Sequence, residues 1–259
     1  MEVVTLGETR KKNMKTPDNR LLYSSYYGEA LAVHEGPQVF LVDMPDAGST
    51  VHPHFHDVDQ YQVIVKGSGR LGREPAEPIA FHYADAYTPY GPIVGAQDGI
   101  AFLTIRKACA AGYYPMPESR HLIAGKPGRN ITGKFEINKP LPRPGESTRE
   151  TLMTTEDGVE VLGLRIGPGG QAAGEPADAG DQYYLVCTGS LLHEGRAVPP
   201  MSIVRIEPGA PLPMFHAGST GAEILLTQLP MASARPGSDP NKLAQRKIDY
   251  KLPLGMNVE

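Results

Sequence analysis

The sequence predicts an all-β chain built from two tandem barrels. Three observations lead to this prediction: a repeat that runs through most of the chain, short strand-like segments, and frequent glycine and proline. The 259 residues include 29 glycines and 25 prolines, which interrupt helices and mark turns. Hydrophobic residues make up 40% of the chain and charged residues 21%, which is typical of a folded globular protein.

The internal repeat is the strongest of these observations. Shifting the sequence by 122 positions places Asp59-Gln60-Tyr61 on Asp181-Gln182-Tyr183. The same shift places Gly67-Ser68 on Gly189-Ser190, and the register needs no gap from about residue 39 to residue 226. A repeat that aligns glycines, prolines and apolar runs together indicates two copies of one structural unit. We therefore infer an internal duplication.

Each copy contains short segments that are rich in Val, Ile, Leu and Tyr and bounded by Gly or Pro, a pattern typical of strands. The predicted strands are Val39–Val42, Tyr61–Val65, Ala101–Ile105, Val159–Ile166, Tyr183–Cys187 and Ile224–Thr227. Only residues 241–248 show an apolar period typical of a helix. Many short strands at regular spacing favour a sandwich or a barrel, and a barrel leaves no exposed sheet edge.

The repeat and the distribution of Pro, Gly and charge predict five consecutive regions. They are a polar N-terminal arm (1–20), a first barrel (21–125), a linker (126–150), a second barrel (151–230) and a C-terminal tail (231–259).

The net charge limits the kinds of partner that we expect, and the cysteines indicate the cellular compartment. The net charge of −4 and the pI near 6.1 argue against a nucleic-acid partner, which requires a basic surface. No apolar stretch approaches the roughly 20 residues that span a bilayer, and the N-terminus lacks the pattern of a secretory signal. Cys109 and Cys187 have no metal-binding or redox spacing. We expect a cytoplasmic monomer or homodimer that binds a small-molecule substrate, with no nucleic-acid or membrane partner.

Three histidines in the first copy are the main candidates for functional residues. His52, His54 and His56 alternate along one segment, and side chains two apart on a strand face the same way. We therefore expect the three imidazoles to project together. Imidazole is the commonest protein ligand of transition metals, so this spacing predicts a divalent metal site, with structural histidines as the alternative.

The same segment resembles the first motif of the cupin superfamily, G-x5-H-x-H-x3-4-E-x6-G. Gly48, His54, His56 and Gly67 fall on this pattern, and Gln60 stands where the glutamate is expected. The resemblance extends over residues 39–228. It implies a bicupin, which consists of two tandem double-stranded β-helix (jelly-roll) barrels.

The remaining motifs depart from the cupin pattern. The second motif, P-x-G-x2-H, resembles residues 89–94, but Val94 replaces the histidine. In the second copy Pro176 and Asp178 occupy the two histidine positions, whereas His216 stands at the position of Val94. The resemblance therefore implies one metal site, in the first barrel, and a degenerate second barrel.

By this resemblance His54, His56 and Gln60 are the metal ligands. His52 and His82 are candidates for the missing fourth ligand, and a place at the barrel rim, where it would orient the true ligands, is an equal alternative for His52. Gln60 is neutral and lacks the charge of a glutamate. Its counterpart Gln182 lies in a copy that lacks the two histidines, so a structural role is the alternative for Gln60. The implied cofactor is a divalent transition metal, Fe, Mn, Ni or Zn, acting as a Lewis acid or binding dioxygen.

Tyr87 and Tyr90 lie near Val94 in the sequence and are candidate catalytic residues, because a phenol can donate a proton or bind an aromatic substrate; they can equally be ordinary residues of a barrel rim. The resemblance implies a metal-dependent enzyme acting on a small organic molecule in the first barrel, and analogy with two-barrel members suggests a dioxygenase. The alternatives are a non-catalytic bicupin that binds a small ligand and a structural bicupin stabilised by its metal.

Overall fold

The computed structural model describes residues 1–16, 19–32, 34–123, 128–178 and 180–245, together with the backbone of residues 257 and 258. The chain divides into two compact units, each containing one copy of the repeat. The first-copy unit comprises Thr9–Gly133 and Ser233–Glu259, and the second-copy unit comprises Met1–Glu8 and Lys134–Ala232. Within the described residues no helix has the length and apolar character needed to cross a membrane.

The regular structure is almost entirely β. In chain order up to residue 134 the strands are β1 (Glu2–Val4), β2 (Arg10–Lys15), β3 (Arg20–Tyr27), β4 (Gln38–Met44), β5 (Thr50–Val51), β6 (His54–Phe55), β7 (Gln60–Leu71), β8 (Glu74–Ala76), β9 (Ala80–Ala84), β10 (Ile93–Arg106), β11 (Tyr114–Pro115) and β12 (Asn130–Lys134). They are followed by β13 (Ser147–Thr154), β14 (Glu160–Ile166), β15 (Gln171–Ala173), β16 (Gln182–His193), β17 (Arg196–Val198), β18 (Ile203–Ile206), β19 (Met214–Gln228) and β20 (Asn257–Val258). Short 3-10 helices span Leu6–Glu8 and Glu118–Leu122, and a short α-helix spans Pro240–Gln245.

The two units share one strand order. The first-copy sheet runs β12-β9-β7-β10-β4-β3-β2-β20, with β5 paired to β10 and β8 to β7, and β6 forms a separate pair with β11. The second-copy sheet runs β1-β18-β16-β19-β14-β13, with β15 paired to β19 and β17 to β16. Strands β4, β7 and β8 recur as β14, β16 and β17 with both ends displaced by 122 residues. Five of the six predicted strand segments lie wholly in strands, and the sixth (Val159–Ile166) begins one residue before β14, so these predictions are confirmed.

A pair of glycines in each copy explains why the two copies of the repeat align without a gap here. Gly67 adopts a φ of +72°, and a Cβ there would lie 2.2 Å from the carbonyl oxygen of Gly99. Gly189 in the second copy adopts a φ of +68°, and a Cβ there would lie 2.0 Å from the carbonyl oxygen of Gly221. Only glycine fits such an approach between neighbouring strands, so the same glycine is needed in each unit.

The structure differs from the predicted boundaries at the arm and the linker. Residues 2–4 pair with β18 in the second-copy unit, and residues 10–15 form a strand that pairs with β3. Within the expected linker 126–150, residues 130–134 form β12 and β13 begins at Ser147; residues 126–127 lie outside the described part of the chain. Edge strands are held by backbone hydrogen bonds, so these polar segments carry no apolar pattern that would have predicted them.

The expected C-terminal tail (231–259) is also partly ordered. The helix Pro240–Gln245 covers the start of the predicted helical stretch, and β20 pairs with β2. Residues 246–256 and 259 lie outside the described residues. The tail therefore contributes a strand to the first-copy unit rather than only following the second copy.

Both units bury some polar side chains, but among the described residues only the first-copy unit buries histidines. The second-copy core is apolar and includes Leu164, Tyr184, Val204 and Phe215. The first-copy core is apolar around Phe40, Ile64 and Phe102, but the same unit also buries a group of His, Gln, Tyr and Arg side chains. Buried polar side chains need hydrogen-bond partners, so this group is where a functional site is to be sought.

Candidate functional site

His54 and His56 form a buried pair in the first-copy unit. Strand β6 supplies His54, and His56 follows directly after the strand ends. The two side chains are only 3% and 5% exposed, and their ring centroids lie 5.1 Å apart in an edge-on arrangement. The structure therefore brings together the two histidines of the predicted metal motif.

Backbone carbonyl groups fix the orientation of both rings. Nδ1 of His54 lies 2.7 Å from the carbonyl oxygen of His52. Nδ1 of His56 lies 2.6 Å from the carbonyl oxygen of Gly112. A carbonyl oxygen can only accept, so each Nδ1 carries the proton and each Nε2 keeps its lone pair.

Burial also holds the two histidines neutral. It is the main cause that lowers the pKa of His54 to about 3, and it lowers the pKa of His56 well below the usual 6.5. The charge of Arg106 lowers both pKa values further. Both rings therefore present a basic Nε2 at neutral pH, which is the form that binds metals.

Tyr90 lies against the first of these histidines. Its hydroxyl group is 2.7 Å from Nε2 of His54, and Nε2 of Gln62 donates to the same hydroxyl group at 3.2 Å. Burial raises the pKa of Tyr90 above its ordinary value, so the phenol keeps its proton and donates it to His54. The structure therefore places Tyr90 at the site.

Gln60 is held by a buried arginine. Nε of Arg106 donates to Oε1 of Gln60 at 2.9 Å, and Nη1 donates to Oε1 of Gln38 at 2.7 Å. In the second copy the corresponding Gln182 donates instead to Oε1 of Gln228 at 2.8 Å. A glutamine at this position thus links neighbouring strands in both units. In the first unit its oxygen already accepts a hydrogen bond from a cationic group.

His82 lies near the pair but does not complete it. It pairs with Gln62 across β7 and β9, and its ring centroid is 5.4 Å from that of Tyr90. Burial lowers the pKa of His82 to about 4, and Asn130 opposes this shift without reaching hydrogen-bond geometry with either ring nitrogen. In the described part of the chain, no three or more His, Cys, Asp or Glu side chains are placed to share a metal ion. His82 as a replacement ligand is therefore not supported.

The structure contradicts the prediction for His52, whose side chain is exposed while those of His54 and His56 are buried. Strand β5 ends at Val51 and β6 begins at His54, with Pro53 in a bend between them. Proline interrupts the strand ladder, so the alternation of side chains does not continue across it. The expectation that three imidazoles project together is wrong.

Tyr87 contacts the buried pair through its backbone, whose N–H donates to the carbonyl oxygen of His56 at 2.7 Å. Its ring contacts that of Phe55, with centroids 6.1 Å apart. On a strand Phe55 faces away from its neighbour His54. Tyr90 therefore places its hydroxyl group on a histidine ring, whereas the ring of Tyr87 contacts Phe55.

A segment that was not predicted from the sequence covers the histidines. We call residues 109–115 the cover segment. Its Tyr113 ring stacks on His54 with centroids 4.3 Å apart and an interplanar angle of 24°. Within it β11 pairs with β6, and the backbone N–H of Ala111 donates to Oδ1 of Asp57 at 2.8 Å. The apolar run Cys109–Ala111 followed by two tyrosines was the sequence signal for a packed cover rather than a connection.

The residues fit a metal ion in part. Two neutral imidazoles oriented through their Nδ1–H groups are a donor pair typical of metal sites. A third donor would come from Gln60, whose carbonyl oxygen has a second lone pair beside the one that Arg106 uses. The buried guanidinium group opposes a further positive charge nearby. The site therefore suits a metal held chiefly by His54 and His56.

Comparison with known proteins was informative only at the level of structure, because no protein-family model and no curated protein matches this chain. A protein of Nostoc punctiforme described as a candidate dioxygenase aligns with a TM-score of 0.61 and 12% identity, covering 89% of this chain and 82% of that one. Oxalate decarboxylase of Bacillus subtilis aligns with a TM-score of 0.56 and 10% identity, covering 88% and 76%. The pirin YhhW of Escherichia coli, in complex with nickel(II), aligns with a TM-score of 0.55 and 12% identity, covering 89% and 99%. The chain therefore has the all-β cupin (jelly-roll) fold.

Proposed function

We propose that the first-copy unit binds a divalent transition-metal ion through Nε2 of His54 and His56 and acts on a small organic molecule. The observation that carries the proposal is the pair of backbone carbonyl groups that fix both Nδ1–H groups. This arrangement orients the rings and leaves both Nε2 atoms as ligands, as in established histidine metal sites. Because both imidazoles are held neutral by burial, a metal ion competes with few protons at neutral pH.

Gln60 is the third ligand that we propose, through the lone pair of Oε1 that Arg106 does not use. Imidazole and amide donors suit iron, manganese, nickel and zinc alike, so the donor set does not select one metal. A bound ion would supply Lewis-acid or redox chemistry to the substrate. Two structures with this fold carry metal in their descriptions, oxalate decarboxylase with Mn(II) and pirin with nickel(II), which supports a metal here.

The chain's own side chains supply the surroundings of the reaction. The hydroxyl group of Tyr90 lies 2.7 Å from Nε2 of His54, and once a metal ion displaces it from that atom it is free to orient a substrate or donate a proton to it. Tyr113 stacks on His54 and limits the access of water to that face of the ring. We propose a dioxygenase as the specific activity, supported by the fold that the chain shares with the candidate dioxygenase.

Metal analysis of the purified protein tests the proposal. We expect near-stoichiometric transition metal in the wild-type protein and loss of that metal in both His54→Ala and His56→Ala. His52→Ala is the matched control and should keep its metal, because this histidine is exposed. A wild-type protein without metal that also takes up none when Fe(II), Mn(II), Ni(II) and Zn(II) are supplied would reject the proposal.

The dioxygenase activity has its own test. Oxygen uptake would be measured with the protein loaded in turn with each of the four metals, across a panel of enols, diketones and flavonols. Uptake that is lost in His54→Ala and kept in His52→Ala would support the activity. No uptake with any metal would remove the dioxygenase and leave the metal site standing.

A metal-free barrel that binds a small ligand is the second candidate, and the Arg106–Gln60 hydrogen bond favours it. The guanidinium group is buried, and its charge acts on both His54 and His56. A cation there disfavours a metal and favours a ligand that accepts hydrogen bonds. This candidate predicts no bound metal and an unchanged melting temperature when metals are added.

A further inference from the structure

A small recess opens beside the histidine pair, between β7, β8, β9 and β12. Its inner wall includes the buried side chains of Gln62, Ile64 and His82, and its rim includes the exposed Glu74 and Thr132. The centre of a water molecule can occupy about 20 Å³ of it. This space is enough for a water molecule or a polar group of a few atoms. We call it the Gln62–His82 recess.

The recess contains polar atoms without partners. Oε1 of Gln62 and both ring nitrogens of His82 are buried and make no hydrogen bond within the described part of the chain. The two side chains are 1% and 4% exposed and lie directly opposite each other on β7 and β9. Leaving buried donors and acceptors unpaired costs free energy, so a bound molecule that pairs with these three atoms would be stabilised in the recess.

The second copy shows what the same position looks like without a recess. A displacement of 122 residues turns the Gln62–His82 pair into Tyr184 and Val204, which face each other on β16 and β18. Both belong to the apolar core of the second-copy unit. The fold can therefore close this position with apolar side chains, and the polar pair in the first copy is not needed to form the sheet.

We propose that the Gln62–His82 recess binds an uncharged primary carboxamide group of a small organic ligand. Gln62 presents an acceptor, and a neutral imidazole presents one donor and one acceptor. The group that satisfies all three must donate two hydrogen bonds and accept one, as the N–H and carbonyl groups of a primary carboxamide do, whereas a hydroxyl group has a single donor.

The surroundings of the recess select against a charged group. Bringing an ion into a largely buried recess costs far more than bringing a neutral polar group. The carboxylate of Glu74 at the rim adds repulsion against an anion. Burial keeps His82 uncharged at neutral pH, so the inner wall offers no cation to offset an anionic ligand.

The recess is connected to the histidine pair by hydrogen bonds. Nε2 of Gln62 donates to the Tyr90 hydroxyl group, which donates to Nε2 of His54. A ligand held at Oε1 of Gln62 is thus one side chain away from Tyr90. The inference names a substrate class for the proposed function. It rests on that function in one respect, which is that the bound ligand is taken to be the substrate.

Acetamide and acetate are matched probes, because they have nearly the same shape and differ in charge. The imidazole signals of His82 would be followed by NMR in protein carrying isotope-labelled histidine, as each probe is added. We expect saturable shifts with acetamide, with a dissociation constant on the order of 1–100 mM for so small a ligand, and none with acetate. Equal responses to the two probes, or no saturable response to acetamide, would overturn the inference.

Two variants sharpen the test. His82→Val, which copies Val204, identifies the His82 signals by their loss. Gln62→Leu removes the acceptor and should weaken acetamide binding at least 5-fold while His82 still reports it. The exposed His216 on β19 serves as an internal reference whose signals should not move. The experiment uses no metal, so it can fail while the metal analysis succeeds, and the reverse.

Discussion

The hydroxyl group of Tyr90 donates a hydrogen bond of 2.7 Å to Nε2 of His54. The direction of this bond follows from the other side of the ring, where Nδ1 is 2.7 Å from the carbonyl oxygen of His52 and must carry the proton. The atom that would bind a metal ion is therefore already occupied by a donor from the chain. Metal binding at His54 requires that this hydroxyl group move away.

Tyr90→Phe should tighten metal binding, because it removes the competing donor. A neutral hydrogen bond contributes about 0.5–1.5 kcal/mol, which corresponds to an affinity increase of roughly 2- to 10-fold. Calorimetric titration of the metal-free protein with Zn(II) measures the effect. Tyr87→Phe is the matched control, because Tyr87 contacts Phe55. A weaker affinity in Tyr90→Phe would instead make Tyr90 a ligand.

Tyr113→Ala should destabilise the first-copy unit by about 1–3 kcal/mol, since it removes a half-buried aromatic side chain that stacks on His54. Tyr113→Phe keeps the ring and loses only a hydroxyl group that donates to the carbonyl oxygen of His52 at 3.2 Å. We expect this variant to stay within about 0.5 kcal/mol of the wild type. Urea unfolding measures both changes, and equal stabilities for the two variants would contradict the packing role of the cover segment.

His82 should make the folded state less stable in acid. Its pKa is about 4 in the folded protein and near 6.5 in an unfolded chain, so the unfolded chain binds the proton first as the pH falls. The stabilisation that neutral His82 gives the folded state is complete above about pH 6.5. It is lost between about pH 6.5 and 4, and the free energy of unfolding falls there by no more than about 1.4 kcal/mol per pH unit.

His82→Val removes this contribution and should flatten the dependence of unfolding free energy on pH. Some dependence should remain, because the pKa values of His54 and His56 are lowered in the same direction. Urea unfolding at a series of pH values compares the two slopes. Identical slopes in the variant and the wild type would show that His82 is not a buried neutral histidine.

Ser238→Ala should destabilise the first-copy unit by about 1–3 kcal/mol. Oγ of Ser238 donates at 2.6 Å to Oδ2 of Asp59. Asp59 is fully buried, and a buried carboxylate that loses a donor is costly. Ser233→Ala is the control, because its hydroxyl group accepts only an exposed backbone hydrogen bond from Arg235. If both variants unfold at the same urea concentration as the wild type, the C-terminal segment does not stabilise this unit.

The parts of the fold that the sequence predicted are those with a local or a repeated signal. Strands β7 and β16 contain apolar runs, end near glycine and are displaced by 122 residues. The same signal in both copies therefore predicted them. The pairing of β1 with β18 joins residues that are far apart in the sequence and has no local signal. The stacking of Tyr113 on His54 is likewise a contact between distant segments.

The site was predicted in outline, and its errors have local causes. His54 and His56 belong to a recognisable motif, and the structure brings them together. The facing of His52 was mispredicted because the bend at Pro53 breaks the strand on which the alternation depended. The hydrogen bond from Arg106 to Gln60 depends on the register of β10 against β7, which no single-strand pattern reveals.

The position of a bound metal ion tests most directly whether Nε2 of His54 and His56 hold it. Anomalous diffraction from crystals soaked in Mn(II) or Zn(II) would locate the ion without reference to activity. We expect one strong peak at about 2.0–2.2 Å from Nε2 of both His54 and His56, with the Tyr90 hydroxyl group displaced. A peak only at exposed side chains such as His52, or none at the buried pair, would contradict it.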